Sequence, residues 1–131
     1  EYLENINIDA GYPYHGGDIA ECLKFAAHDE HEEHAVIYPA FAKDAEEEGY
    51  KDIATLFKLV AKVEEHHEII FNYLYEAFSK GALYSNESPI LYICGECGYM
   101  HTSTKAWDKC PLCQSSQGEV LLHIPFEKEK I

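Results

Sequence analysis

A chain of 131 residues with 24 acidic side chains, 10 lysines and no arginine carries a formal charge of −14, which repels the phosphate backbone and argues against a nucleic-acid partner. At 47% hydrophobic and 13% aromatic it can bury a core, which argues against wholesale disorder, and no apolar run approaches the ~20 residues that cross a bilayer. The charge is uneven: residues 1–88 hold 19 acids and 6 lysines, residues 89–131 hold 5 and 4, and four of the five cysteines fall in the second stretch. Two modules held together in different ways are expected.

Residues 1–17 read as a connecting segment, punctuated by Gly11, Pro13, Gly16 and Gly17. It opens on Glu1, and the only methionine is Met100, so the chain reads as a processed form or a fragment, with no basic-then-apolar leader. Residues 18–81 read as a helical hairpin. Asp18 is placed to cap a first helix that runs to about Glu48; Gly49 breaks it, and a second runs from about Lys51 to Lys80 with Gly81 as its cap. Pro39 lies inside the first helix, where it removes a backbone hydrogen bond. The apolar spacing continues through Phe41, so a kink or local widening near Val36 to Tyr38 is expected rather than a stop. Residues 82–89 read as a linker. Residues 90–131 then offer a strand at 90–93, a cysteine turn, a loop, a second cysteine turn and a strand at 119–124. Tyr92, Tyr99, Trp107 and Phe126 are the expected core there, and Cys22 is expected to be a small packing residue.

Forty residues cannot bury enough apolar surface to fold unaided. The staple is Cys94-Gly-Glu-Cys97 and Cys110-Pro-Leu-Cys113, two turns separated by 12 residues. Each aims two sulfurs at one point, and together they offer a tetrahedral S₄ site for zinc or iron. Gly95 and Gly98 let the backbone turn tightly towards the thiolates. Two disulfides are the alternative, disfavoured without a signal for an oxidising compartment.

Stepping by three or four along the first helix gives Ile19, Leu23, Ala26, Glu30, Glu33, Ile37, Phe41 and Ala45; the second gives Ile53, Phe57, Val60, Glu64, His67, Phe71, Leu74 and Phe78. Both stripes are apolar at the ends and ionisable in the middle. Burying an isolated carboxylate costs several kcal/mol, and a bound dication compensates several carboxylates at once. Glu30 with Glu33, and Glu64 with His67, are i, i+3 pairs; Glu-x-x-His facing glutamates from another helix is the inward ligand set of four-helix di-iron proteins. The competing reading is a solvated acidic face. His28, His31 and His34 form an adjacent stripe that reads as surface or supporting groups, with a separate metal site as the alternative; His15, His101 and His123 receive no ligand role.

Several details mark a family. CGECGYMH followed by CPLC resembles the rubredoxin-like domain at the C-terminus of rubrerythrins, in which Gly-Tyr after the second cysteine and Pro after the third favour iron over zinc. Glu30-x-x-Glu33-x-x-x-x-Tyr38-Pro39-x-Phe41-Ala42, Glu46-Glu47-Glu48-Gly49-Tyr50 and Glu64-Glu65-His66-His67-Glu68 resemble the third and fourth helices of the same family, across about residues 18–124. The resemblance implies that Glu30, Glu33, Glu64 and His67 are di-iron ligands, that Cys94, Cys97, Cys110 and Cys113 hold an Fe(Cys)₄ centre, and that Tyr38 is a hydrogen-bonding group beside the di-iron site. Asp29 departs from the family, which places a small residue there, without altering the ligand spacing.

The implied fold is α with a small β part: a ferritin-like helical hairpin, half of a four-helix bundle, followed by a rubredoxin-like metal ribbon. The family's first two helices, which supply another Glu and a second Glu-x-x-His, have no counterpart here. A second copy of the chain, or a separate chain, is expected to complete the site. The implied activity is reduction of hydrogen peroxide, with electrons relayed through Fe(Cys)₄ from an external donor such as a rubredoxin or its reductase. Glu33 is then the carboxylate that changes coordination with iron redox state, a role for which His67 competes. The alternatives are an electron-transfer or metal-stabilised interaction module and a ferritin-like iron oxidase. Thiolate ligation and the absent leader point to the cytoplasm.

Overall fold

The computed structural model describes residues 17–124. Helix α1 (Ile19–Glu32) starts as expected at Asp18: the Glu21 N–H donates to Asp18 Oδ1 at 2.9 Å and the Asp18 N–H to Glu21 Oε2 at 3.0 Å, a reciprocal capping box. The helix then widens into a π segment over Glu33–Ile37, where the Tyr38 N–H reaches back to the Glu33 carbonyl. Pro39 is the cause: it has no N–H, and its ring would collide with the carbonyl four residues back. The added residue per turn absorbs the defect, so α2 (Tyr38–Glu47) continues without a stop. The widening is the expected one, beginning a turn earlier.

Gly49, at φ 89°, ends α2, with Tyr50 N–H bonded to the Ala45 carbonyl and Gly49 N–H to that of Glu46. Gly81, at φ 64°, ends α3 (Lys51–Ser79) with the same pair of bonds, Ala82 N–H to Ala77 and Gly81 N–H to Phe78. Both are Schellman caps, which need the left-handed backbone that glycine adopts without penalty. Helix α3 has 29 residues, about 44 Å at 1.5 Å per residue, and α1 and α2 lie against it as a hairpin.

The contact between the helices is built from small side chains. Ala27, Ala42, Ala45, Ala54 and Ala77 are buried with Ile69, so the backbones approach closely. Five large seam residues stay out of this contact: Ile19, Ile37, Phe41, Ile53 and Phe78 are between 38% and 63% exposed, while Leu23, Phe57, Val60, Phe71 and Leu74 are partly buried. The seam therefore lies along the edge of the helix contact, with Ala45 inside it and its exposed members on an open face of the hairpin.

The second part is a ribbon. Strand β1 (Ser85–Ile93) pairs antiparallel with β2 (Met100–Lys105), with Leu91 opposite Thr102 and Tyr92 opposite His101. The strand expected at 90–93 begins at Ser85, within the stretch read as a linker, and the register shifts between Ser85 and Ile90, around Pro89, which cannot donate to a ladder. Two expectations fail. The stretch read as a loop forms β2: MHTSTK is polar, and only Ser103 is even partly buried, so no alternation marks it. The strand expected at 119–124 does not form; Gln117–Glu119 is a 3₁₀ turn and the chain onward is irregular, held by the Val120 bridge to Cys94 and by Leu121 N–H bonding the Ile93 carbonyl at 2.9 Å. Tyr92, Ala106 and Val120 form the buried core, with Tyr84, Ile90 and Trp107 packed against it and Tyr99 edge-on to Trp107 at 5.3 Å. Phe126 and His15 lie outside the described residues. Among the described residues no helix is long and apolar enough to cross a membrane.

Candidate metal centres

The ribbon presents two equivalent turns. In the first, Gly98 N–H bonds the Cys94 carbonyl and Cys94 N–H the Tyr99 carbonyl; in the second, Gln114 N–H bonds Cys110 and Cys110 N–H bonds Ser115, all at 2.9 Å. The residue after each cysteine pair is left-handed, Gly98 at φ 75° and Gln114 at φ 64°. Gln114 lacks glycine's freedom but gains a bond from its Nε2 to the Cys110 carbonyl at 3.2 Å. Gly95 serves differently: a Cβ there would meet the Glu119 carbonyl at 2.9 Å, the group its own N–H bonds at 2.7 Å.

These turns bring Cys94, Cys97, Cys110 and Cys113 together. Cys94 Sγ lies 3.8 Å from Cys113 Sγ, and Cys97 Sγ 3.7 Å from Cys110 Sγ. A disulfide needs about 2.05 Å, whereas sulfurs at the vertices of a tetrahedron around a metal at about 2.3 Å lie about 3.8 Å apart. The thiols fit a tetrahedral metal and are not disulfides. Ser115, unremarked in the sequence, holds its hydroxyl 3.3 Å from Cys94 Sγ and 3.1 Å from Cys113 Sγ. That hydroxyl and the backbone N–H groups of the first turn lower the Cys94 thiol to about 6, and Ser115 lowers Cys113 as well. Cys97 moves the other way: the Tyr99 backbone favours its thiolate, but burial and the three neighbouring sulfurs outweigh that and push it up to about 12. One thiol of the four therefore ionises readily and another does so only when a cation displaces its proton.

On the hairpin, α1 and α3 bring Glu30, Glu64 and His67 together, all half-buried. His67 Nδ1 lies 2.6 Å from Glu64 Oε2 and 3.5 Å from Glu30 Oε2. Glu30 is held above the usual carboxylate range, chiefly by burial; His67 opposes this, while a hydrogen bond to Glu64 and the charges of Glu64 and Glu33 add to it. Three carboxylates on one half-buried face against a single imidazole form a site short of positive charge, and a divalent cation supplies it. Glu33 shares the face, near enough for its charge to act on Glu30, but is not in the converging set. Tyr38 is half-buried with its ring against Phe41 and Phe57, at 6.2 and 6.1 Å.

The histidine stripe yields a third cluster. His31 Nδ1 and His34 Nε2 lie 3.3 and 2.7 Å from the same oxygen, Glu68 Oε2. Glu68 was missed in the sequence because it follows His67 and reads as one more surface acid; its signal was the His-x-x-His spacing opposite.

The rubrerythrin family model matches residues 18–92, and that of the rubrerythrin rubredoxin-like domain matches residues 92–119. A rubrerythrin of Porphyromonas gingivalis is 44% identical over 101 residues, 77% of this chain and 50% of that protein. One of Clostridium perfringens is 36% identical over 115 residues, 87% of this chain and 59% of that protein. A solved structure of nigerythrin in a partially reduced state aligns with a TM-score of 0.48 at 23% identity, covering 88% of this chain and 56% of the other. The chain thus spans between half and three-fifths of the length of the two relatives. With a ferritin-like hairpin, a rubredoxin-like ribbon and the two family models matching residues 18–92 and 92–119, the chain belongs to the rubrerythrin family.

Proposed function

We propose that the chain is half of a di-iron hydrogen peroxide reductase, completed when a second copy docks its hairpin on the exposed seam. The observation that carries this reading is the convergence of Glu30, Glu64 and His67 on a face whose large apolar neighbours, Ile37, Phe41 and Ile53, stay 38–47% exposed in the single chain. Pairing by a two-fold axis would bury that face against itself and bring six glutamates and two histidines, Glu30, Glu33, Glu64 and His67 from each copy, around one pair of metals.

Iron bound there supplies Lewis acidity and electrons for the cleavage of H₂O₂, which with two electrons and two protons yields two waters. The protein's own part is positional. Glu64 accepts from His67 Nδ1–H or shares a metal with it, which fixes the imidazole on the face. Glu33 stands beside the set and would be the carboxylate to join a bound metal as its charge changes, and Tyr38 packs against Phe41 and Phe57. Cys94, Cys97, Cys110 and Cys113 would hold an iron that supplies one-electron transfer, with an external donor such as a rubredoxin or its reductase as the source. We place this chemistry in the cytoplasm, as a defence against oxidative stress.

The test is anaerobic: iron-loaded, reduced chain is mixed with hydrogen peroxide or with oxygen and turnover is followed at the Fe(Cys)₄ absorption. Faster oxidation by peroxide supports the reading, and faster oxidation by oxygen favours an iron oxidase. Glu64→Ala should abolish peroxide turnover and leave the Fe(Cys)₄ spectrum intact; turnover that survives it means the helical site is wrongly assigned.

A further inference from the structure

We propose that His31, His34 and Glu68 form a separate mononuclear site for a divalent cation such as zinc. Each lies one residue beyond a member of the first set or its neighbour: His31 after Glu30, His34 after Glu33, Glu68 after His67. One residue is about 100° around a helix, so the two clusters occupy different faces of the same pair of helices. The donors are two imidazole nitrogens and one carboxylate oxygen, all within 4.8 Å of one another, a set suited to zinc and to other borderline first-row dications.

The geometry is near that of a bound state. Ligand atoms about 2.0–2.1 Å from a tetrahedral metal lie about 3.4 Å apart; the His31–Glu68 separation is 3.3 Å and the His34–Glu68 separation 2.7 Å. Both imidazoles aim a ring nitrogen at the same oxygen, and a cation would bridge the three in place of those hydrogen bonds. His34 and Glu68 are 17% and 18% exposed while His31 is 53% exposed, which leaves a fourth coordination position open to water. His34 belongs to the π segment that Pro39 imposes, so the widening sets the angle at which it meets Glu68. His28 stays outside, paired with Asp29 at 3.6 Å. Because the ligands come from α1, the π segment and α3, a bound cation would clamp the hairpin beside the first site.

The test is zinc uptake by equilibrium dialysis into the full chain with its iron sites already filled, reading zinc and iron per chain together. One zinc per chain is expected beyond the iron. His31→Ala and Glu68→Gln should each weaken that uptake on the order of 100-fold, at least what removal of a supporting group costs a metal site, with iron content and Fe(Cys)₄ absorption unchanged. Glu68→Gln keeps an acceptor for both imidazoles, so the hairpin is retained. Glu30→Gln should leave zinc uptake in place, which separates this site from the proposed di-iron function. Equal zinc uptake by wild type, His31→Ala and Glu68→Gln, or a loss caused by Glu30→Gln instead, would overturn the proposal.

Discussion

Removing a charge from the first site should stabilise the metal-free chain. Glu30, Glu64 and His67 offer ligand atoms within 4.8 Å of one another; two carboxylate charges at that distance repel by about 3.5 kcal/mol at an effective dielectric constant near 20. His67 returns part of this, though its Nδ1 sits closer to Glu64 than to Glu30. In Glu30→Gln the repulsion goes and the amide donates to Glu64 a hydrogen bond that the ionised Glu30 cannot make, so a net gain of about 1–2 kcal/mol is expected. The sign with pH follows from the raised Glu30 carboxyl: the folded chain binds that proton more tightly than the unfolded one, so the destabilisation is full above the raised value. It shrinks as pH falls through the raised value and vanishes below the usual carboxylate range. Urea unfolding by circular dichroism, at matched protein concentration with zinc in the cysteine site alone, should show the variant ahead at pH 7.5 by a margin that narrows steadily as the pH falls towards the usual carboxylate range. With iron present the order should reverse. A variant less stable than wild type in the metal-free state at neutral pH would refute the claim that these carboxylates are held in wait for a cation.

The two glycines of the first cysteine turn should differ in cost. Gly98→Ala meets no atom within 4 Å but keeps a left-handed φ, a loss of about 1–2 kcal/mol; Gly95→Ala drives a Cβ onto the Glu119 carbonyl and should lose about 2–4 kcal/mol through a broken hydrogen bond and overpacking. Urea titration of metal release from the zinc form reads both, and equal losses would contradict the assigned roles. Ser115→Ala removes the leading cause of the low Cys94 thiol. Metal uptake, which needs that thiolate, should then require higher pH than in the wild type, as followed by cobalt–thiolate absorption; an unchanged pH midpoint rejects the role. Phe41→Asp, at a seam position 47% exposed, should shift the sedimentation of the chain from dimer to monomer while the ribbon's metal absorbance stays; an unmoved dimer would place the interface elsewhere.

Much of this was legible in the sequence because it rests on local rules. Asp18, Gly49 and Gly81 marked helix ends through backbone chemistry that acts within four residues, and the paired CxxC turns carry their own geometry. The π widening could be foreseen because a proline's missing N–H has few remedies inside a continuing apolar pattern. What escaped depends on partners far along the chain. Strand β2 is polar on both faces and is a strand only because β1 lies beside it. Residues 119–124 are rich in apolar and branched side chains like a strand, but Val120 and Leu121 make isolated bonds at the cysteine turn, with no ladder to extend. Ser115 and Glu68 matter through contacts with Cys94 and His34, 21 and 34 residues away, which spacing along one element does not reveal. The seam spacing did not reveal its setting: buried alanines lie between the helices, Ala45 of the seam among them, while Ile19, Ile37, Phe41, Ile53 and Phe78 are left facing out.

The central claim is that one chain holds half of a di-iron site and that a second copy supplies the rest. Native mass spectrometry of the iron-loaded chain tests it most directly. The expected species is a dimer carrying one Fe(Cys)₄ iron per chain and one further pair of irons shared between the two chains, with that pair lost in Glu64→Ala. A monomer that carries the cysteine-bound metal alone would contradict the account.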